Sequence, residues 1–141
     1  MGNEVIQRKL YQIKKLLKDL RPLLDELEDE FLGKRTSVGA SERDFQLIVN
    51  LAIDINGIII VNAENQIPDT YYQSFLRLGK MGLIDEETAT LLAESAKLRN
   101  ILVHEYDFEE DPKKFYRSAK HMLPAYQKYI KAIFDFLEKT N

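Results

Sequence analysis

Residues 99–106 carry four side chains suited to phosphodiester chemistry: Arg99, Asn100, His104 and Tyr106. A guanidinium offers phosphate oxygens a planar fork of donors, an imidazole moves a proton near neutral pH, and an amide orients its neighbours. These groups are the minimum needed for metal-free cleavage of RNA, in which the ribose 2′-OH attacks the adjacent phosphorus while a histidine takes or gives the proton. The segment is therefore the candidate catalytic site.

If this segment is helical, its side chains do not all face the same way. Arg99 and Tyr106 are seven residues apart and share one face, whereas Asn100 and His104 are four apart and share the next. Arg99 and His104 then lie roughly 140° apart around the axis, too far to meet at a small ligand. Two arrangements resolve this: the helix loosens near Val103 so that the histidine turns back, or two copies share one cleft about a two-fold axis.

Each residue also has a purely structural interpretation. Arg99 near a helix C-terminus is often a solvated cation favoured by the helix dipole, His104 would cap the helix or fill the core, and Tyr106 would pack half-buried. Asn50 and Asp54 form the polar stripe of an otherwise apolar helix. They either satisfy each other in the core or orient the arginine from the neighbouring helix, and spacing alone leaves both alternatives open.

Composition predicts one ordinary globular domain over residues 1–141, with 45% hydrophobic and 30% charged residues. The absence of cysteine excludes disulfides, thiolate zinc sites and cysteine nucleophiles, and fits a reducing cytoplasm. No apolar leader is visible, and the longest apolar run, residues 47–61, is too short and too polar for a membrane span. No ligand spacing or glycine-rich loop appears, so we expect neither a metal nor a cofactor.

The net charge of −3 argues against a protein that coats nucleic acid. An RNA substrate would need local contacts, or a dimer cleft that gathers positive charge. The cluster Lys113, Lys114, Arg117 and Lys120 is either a solvated face or a track for an RNA backbone. His121 lies outside the motif and is expected at the surface.

The apolar periodicity predicts an all-α fold, an antiparallel bundle of four long helices and one short one. A seam over residues 3–32 predicts a first helix kinked at Pro22. A loop over residues 33–40 follows, and Ser41 is expected to cap a helix over 42–62. This second helix is apolar around most of its circumference, so it is either central or shared with another subunit.

The second half of the chain shows clear boundaries. Residues 65–69 read as a turn and residues 71–81 as the short helix, which closes at a glycine. An Asp85 cap begins the helix that carries the motif, which is expected to reach about residue 106. The last helix begins at Pro112 and is expected to bend or split at Pro124.

The stretch from residue 98 to 106 resembles the HepT-like family of HEPN domains, small all-helical proteins of bacteria and archaea. Their mark is R-x4-H-x-Y, often with a polar residue after the arginine, and every position is filled here. Ser-Glu-Arg at residues 41–43, Pro68 with Tyr72, Gly82-Leu-Ile and Leu123-Pro124 also look like the family. The resemblance covers about residues 4–138.

This resemblance implies a metal-independent ribonuclease toxin of a two-gene toxin–antitoxin module, acting as a two-fold symmetric homodimer. Arg99 and His104 would be the catalytic pair, with Asn100 in support. The implied partner is a minimal nucleotidyltransferase of the MntA type, which transfers AMP from ATP to the motif tyrosine, Tyr106. The added bulk and negative charge would repel or block an RNA phosphate.

Two other classes of function compete with the nuclease. The chain would serve equally as a non-catalytic helical binding subunit of a nucleotidyltransferase complex, which the acidic composition favours and the intact motif disfavours. A plain structural bundle is the third class. It would be contradicted by a neighbouring gene for a small nucleotidyltransferase.

Overall fold

The structure is a computed structural model that describes residues 3–104 and 111–140. Within these ranges all regular secondary structure is helical, which confirms the all-α bundle. A second short helix is present because the first predicted helix is divided in two. The six helices are α1 (Asn3–Asp25), α2 (Glu28–Leu32), α3 (Arg35–Glu64), α4 (Tyr71–Lys80), α5 (Glu86–Val103) and α6 (Pro112–Thr140).

Helix α3 is the central element, as its apolar circumference predicted, and it contacts all five other helices. It runs antiparallel to α1, since Lys9 near the start of α1 reaches Asp54 in the second half of α3. Helix α6 packs against both α1 and α3, and Phe45 of α3 and Phe115 of α6 form a T-shaped ring pair with centroids 5.6 Å apart. Burial of these faces from water is the main force that holds such a bundle together.

The predicted continuous helix over residues 3–32 is wrong. Helix α1 ends three residues after Pro22, and Leu27 adopts an extended conformation (φ −63°, ψ 146°) before α2 begins. Leu27 is consequently 71% exposed instead of lying in the apolar seam. Tyr116 of α6 donates a hydrogen bond to the carbonyl of Glu26. A side chain from another helix thus supplies a partner for a backbone carbonyl exposed by the break.

The predicted loop over residues 33–40 and the predicted cap at Ser41 are also wrong. Helix α3 already begins at Arg35, and Ser41 is fully buried inside it. Val38 packs against the core and lies seven residues before the buried Phe45, so both occupy one face of the helix. Burial of that face outweighs the turn-like composition of the segment.

The predicted turn and short helix are confirmed. Asn65 ends α3 in the left-handed conformation (φ 54°), and the Thr70 side chain caps α4 by accepting from the backbone N–H of residue 73 at 3.0 Å. Gly82 supplies the positive φ of 80° after α4. Gly79 lies inside the helix, where a Cβ would approach the Cβ of Ala89 to 2.9 Å, so its missing side chain lets α4 and α5 pack closely.

The predicted Asp85 cap is confirmed, because its carboxylate accepts from the Thr88 N–H at 2.8 Å and from the Thr88 hydroxyl at 2.9 Å. Helix α6 begins at Pro112 as predicted. Pro124 does not split it, since the helix continues to Thr140.

We expect Asp85→Ala to lower the free energy of unfolding at pH 7, and the loss to shrink as the pH falls below 3.8. The hydrogen bonds from Thr88 hold the pKa of the Asp85 carboxyl below its ordinary value of 3.8. A lowered folded-state pKa contributes stability above the ordinary pKa, and that stability is lost as pH falls through the lowered one. Urea unfolding between pH 7 and 2.5 measures the difference. Glu87→Ala is the control, and a difference from wild type that is independent of pH would contradict the assignment.

Helix α3 is 30 residues long, and by length and composition alone it is long and apolar enough to cross a membrane. This differs from the expectation drawn from the shorter run at residues 47–61. In the bundle, however, 44% of its most apolar window is buried, and its Asn56 is hydrogen bonded to Ser74 and Tyr129. These contacts are those of the core helix of a bundle.

Candidate functional site

Arg99 of α5 is held by three neighbours. Its Nε donates to the Asn50 Oδ1 of α3 at 2.7 Å, and its Nη1 donates to the Asn100 Oδ1 at 3.1 Å. The guanidinium also lies over the ring of Tyr71, the first residue of α4, 5.3 Å from the centroid. The arginine therefore has a fixed position at the meeting point of α3, α4 and α5, unlike a freely solvated cation.

The contact between Asn50 and Arg99 decides between the two interpretations of the polar stripe on α3. Asn50 orients the arginine. Asp54, one turn further along α3, is 56% exposed in its side chain and pairs instead with Lys9 of α1 at 3.2 Å. The structure therefore brings Asn50 to the arginine and places Asp54 in a surface ion pair with α1. Such an exposed ion pair contributes little to stability.

Asn100 and His104 lie at the exposed end of α5. The helix ends at Val103, and His104 has left the helical conformation (φ −106°, ψ 42°) while its N–H still bonds to the carbonyl of Asn100 at 3.1 Å. The angle of a regular helix therefore no longer fixes the direction of the imidazole relative to Arg99. This is the loosened end that the first of the two predicted arrangements requires. Tyr106 lies outside the described residues.

Tyr71 is the site residue that the sequence analysis missed. Its backbone carbonyl accepts from the Ser74 hydroxyl at 2.7 Å, and Ser74 in turn accepts from Asn56 at 3.0 Å. The ring under Arg99 is thereby tied to the buried polar groups of the core. The sequence gives no signal that Tyr71 contacts the arginine. The two residues are 28 positions apart, and their contact depends on tertiary packing.

An open groove of about 420 Å³ lies between α1 and α3, and Asn50 is one of the residues that line it. We call it the α1–α3 groove. Its apolar floor is flanked by polar and charged side chains, so a concave surface adjoins the anchored arginine. The residues that line it are Gln12, Lys15, Leu16, Asp19, Leu47, Asn50, Leu51 and Asp54.

Two of the four cations in the basic cluster at the start of α6 have side-chain partners among the described residues. Arg117 forms two hydrogen bonds to the Glu28 carboxylate, at 2.6 and 3.1 Å, and Lys120 lies 3.3 Å from the hydroxyl of Tyr116. These contacts favour the interpretation of this cluster as a solvated structural face. His121 is exposed, as expected. Within residues 3–104 and 111–140, no group of His, Asp and Glu side chains has an arrangement that would hold a metal ion.

Comparison with known proteins gives a consistent result. Residues 13–133 match the family described as ribonuclease HepT-like. A tRNA nuclease HepT of Aphanizomenon flos-aquae is 32% identical over 133 residues, which cover 94% of this chain and 90% of that protein. A putative RNase of Archaeoglobus fulgidus is 29% identical over 107 residues, covering 74% of this chain and 80% of that one.

Solved structures share the fold. A toxin–antitoxin complex with AMP-PNP contains a chain that matches with a TM-score of 0.83 at 23% identity, covering 94% of this chain and 98% of that one. A tri-AMPylated HEPN toxin of Shewanella oneidensis, in complex with an MNT antitoxin, matches with a TM-score of 0.82 at 24% identity over 93% and 97%. YutE of Bacillus subtilis, a cytosolic protein of unknown function, matches with a TM-score of 0.82 at 22% identity over 97% and 91%.

Proposed function

Because the chain belongs to the ribonuclease HepT-like family, and is thus an endoribonuclease, we propose that it is the toxin of a toxin–antitoxin pair and cuts RNA without a metal. The observation that carries this proposal is the fixed position of Arg99 on Asn50, Asn100 and Tyr71, five residues before His104. A relative is named as a tRNA nuclease, so tRNA is the proposed substrate. We propose that residues 1–141 act as one domain in the cytoplasm.

In the proposed reaction Arg99 binds the scissile phosphate. An arginine has five N–H donors; within the described residues Asn50 accepts from Nε and Asn100 from Nη1, and other N–H groups of the guanidinium would donate to the phosphate oxygens. His104 removes the 2′-OH proton as O2′ bonds to phosphorus, the P–O5′ bond breaks, and O5′ takes up a proton. The products are a 2′,3′-cyclic phosphate and a 5′-hydroxyl. Asn100 supports the arginine as charge develops on the phosphate.

We propose that two copies form a homodimer with a shared cleft. One copy carries a net charge of −3, and a two-fold axis near the end of α5 would bring two Arg99–His104 pairs to the same phosphate backbone. Light scattering at micromolar concentration tests this, and a clean monomer would contradict the shared cleft.

The proposed partner is an MntA-type nucleotidyltransferase antitoxin that modifies Tyr106. This proposal is supported by the structural relative described as a tri-AMPylated toxin with its antitoxin. The tyrosine oxygen would bond to the α-phosphorus of ATP, losing its proton and releasing pyrophosphate, and the new phosphodiester would place a negative charge two residues from His104. Intact mass after co-expression should rise by one or more AMP units. A rise that persists in Tyr106→Phe would rule out this acceptor.

The nuclease proposal is tested by incubating the purified wild-type protein with tRNA in buffer that contains EDTA. We expect fragments with 2′,3′-cyclic phosphate ends, and growth inhibition on expression alone. Uncut tRNA and mRNA under these conditions would overturn the proposal. The second candidate, a non-catalytic binding subunit, is favoured by the acidic charge alone. It predicts tight partner binding with both Arg99 and His104 replaced, and no toxicity.

We expect Asn50→Ala to lower the cleavage rate about 10- to 100-fold while substrate binding changes less. The variant removes the 2.7 Å contact that positions the guanidinium, and a misplacement of about 1 Å can cost on the order of 100-fold in rate. Single-turnover cleavage separates the rate from binding. Asp54→Asn is the matched control, because it lies one turn away on α3 without contacting Arg99. If Asn50→Ala and Asp54→Asn cleave RNA at the same rate, Asn50 does not position Arg99 for cleavage.

A further inference from the structure

Helix α1 has the opposite charge balance to the whole chain. Residues 3–25 contain six Lys and Arg and three Asp and Glu, a net charge of +3 against −3 for all 141 residues. Lys14, Lys15, Lys18 and Arg21 all lie on its exposed side. None of these four forms an ion pair with a residue in the described ranges, whereas Lys9 is neutralised by Asp54. Four exposed cations without an ion pair among the described residues therefore follow this side of the helix.

These cations border a groove of about 760 Å³ between α1 and α6, which we call the α1–α6 groove. Tyr11 stands at one end with 62% of its surface exposed, and Lys15 lies 5.6 Å from the centre of its ring. Leu17 and Ile130 provide an apolar floor, and Asp25 at the far end contributes the single carboxylate of the lining. The groove thus combines fixed positive charge with an accessible aromatic ring.

We propose that the α1–α6 groove binds single-stranded RNA, with phosphates on Lys14, Lys18 and Arg21 and a base stacked on Tyr11. A cationic groove with an exposed aromatic ring is the arrangement by which proteins hold single strands without reading their sequence. Helix residues three and four apart stand about 5–6 Å from each other, so the three cations can follow successive phosphates. An acidic peptide would use the charge but leave the exposed ring without a role.

The α1–α6 groove and the α1–α3 groove have one lining residue in common, Lys15. Asn50, which accepts a hydrogen bond from Arg99, also lines the α1–α3 groove. A strand that crosses α1 at Lys15 would therefore have one part on the cations and another near the arginine. The inference rests on the proposed function, since it assigns a second contact region to the same RNA substrate.

The test measures binding separately from cleavage. The probe is a labelled 12-nucleotide single-stranded RNA in which every 2′-OH is methylated, so it cannot be cut by 2′-OH attack, and it is titrated between 50 and 200 mM salt. In the variant Lys14→Gln/Lys18→Gln/Arg21→Gln, the slope of log K against log salt should fall in magnitude by about 2, at roughly 0.7 for each lost phosphate contact. Tyr11→Ala should weaken binding about 5- to 150-fold.

The matched control is Lys128→Gln/Lys131→Gln/Lys139→Gln, which removes the same charge from a different groove on α6. The inference holds if only the α1 variant changes the salt slope. It is overturned if both triple variants change it equally, or if neither does. It is also overturned if the α1 variant no longer binds a co-expressed nucleotidyltransferase but still binds RNA, because the groove would then be a binding surface for a partner protein.

Cleavage of unmodified tRNA by the wild type keeps the two proposals distinguishable. If tRNA is cut and the α1 variant binds RNA normally, the groove assignment alone fails. If no RNA is cut but the α1 variant still loses binding, the nuclease proposal fails and the groove stands as an RNA-binding surface. Circular dichroism of the variants confirms the fold, because all the substituted side chains are exposed.

Discussion

Replacing Arg99 by alanine is expected to slow RNA cleavage by at least about 100-fold and to abolish growth inhibition. Loss of a fixed donor to a developing negative charge typically costs two to three orders of magnitude in rate. Arg99→Lys should be nearly as inactive. An ammonium group cannot keep the contacts to Asn50 and Asn100 while presenting a planar fork to a phosphate. Single-turnover cleavage of tRNA in EDTA buffer gives the rates.

Lys97→Ala is the control for the arginine variants. Lys97 lies two residues earlier on α5, is exposed, and pairs with Glu94 at 3.5 Å, so its loss removes the same charge without touching the anchored guanidinium. We expect it to cut at close to the wild-type rate, and His104→Ala to be as inactive as Arg99→Ala. An Arg99→Ala protein that folds and cuts at the wild-type rate would remove the basis of the proposed mechanism.

Tyr129→Phe is expected to destabilise the fold by about 1–3 kcal/mol. The Tyr129 side chain is completely buried, and its hydroxyl lies 2.7 Å from the Asn56 Oδ1 and 3.1 Å from the carbonyl of Ala52. Burial raises the pKa of this phenol well above its usual value, so the group acts as a neutral donor. Phenylalanine would fill the same space, but the Asn56 Oδ1 and the Ala52 carbonyl would lose the hydroxyl that donates to them.

Urea unfolding of Tyr129→Phe beside Tyr11→Phe measures this effect. Tyr11 is mostly exposed, so its variant should unfold like the wild type. Cleavage by Tyr129→Phe at 25 °C should stay within a few-fold of wild type, because Ser74 still holds the carbonyl of Tyr71. Equal stability of the two variants would show that the Tyr129 hydrogen bonds contribute nothing net.

The parts of the fold that could be predicted are those in which local sequence and packing agree. The Asp85 cap, the turn at Asn65 and the start of α6 at Pro112 follow from backbone chemistry that acts over a few residues. The beginning of α3 could not be predicted because the glycines and hydroxyl residues of residues 33–40 indicate a loop, and the packing of Val38 against the core overrides this signal. The break after α1 depends on Tyr116, about 90 positions away.

The candidate site divides in the same way. The motif spacing identified Arg99, Asn100 and His104 as a group, and helical geometry showed that a regular helix would keep the first and last apart. For Asn50 the sequence left two interpretations open, a partner for Asp54 or a partner for Arg99. The contact between α3 and α5 favours the second. Tyr71 gave no signal, because the face of α4 that meets the arginine is set by tertiary packing. The roles of these residues in cleavage stay predictions.

The close contact between Gly79 and Ala89 has a consequence for the arginine. Tyr71 and Gly79 lie near opposite ends of α4, eight residues or about 12 Å apart. The end that carries Gly79 packs directly against Ala89, near the start of α5. Any added side chain at position 79 would force a shift where α4 meets α5, and these two helices carry Tyr71 and Arg99, which contact each other. The position of the guanidinium over the Tyr71 ring is thus expected to depend on the missing side chain of Gly79, at the opposite end of α4.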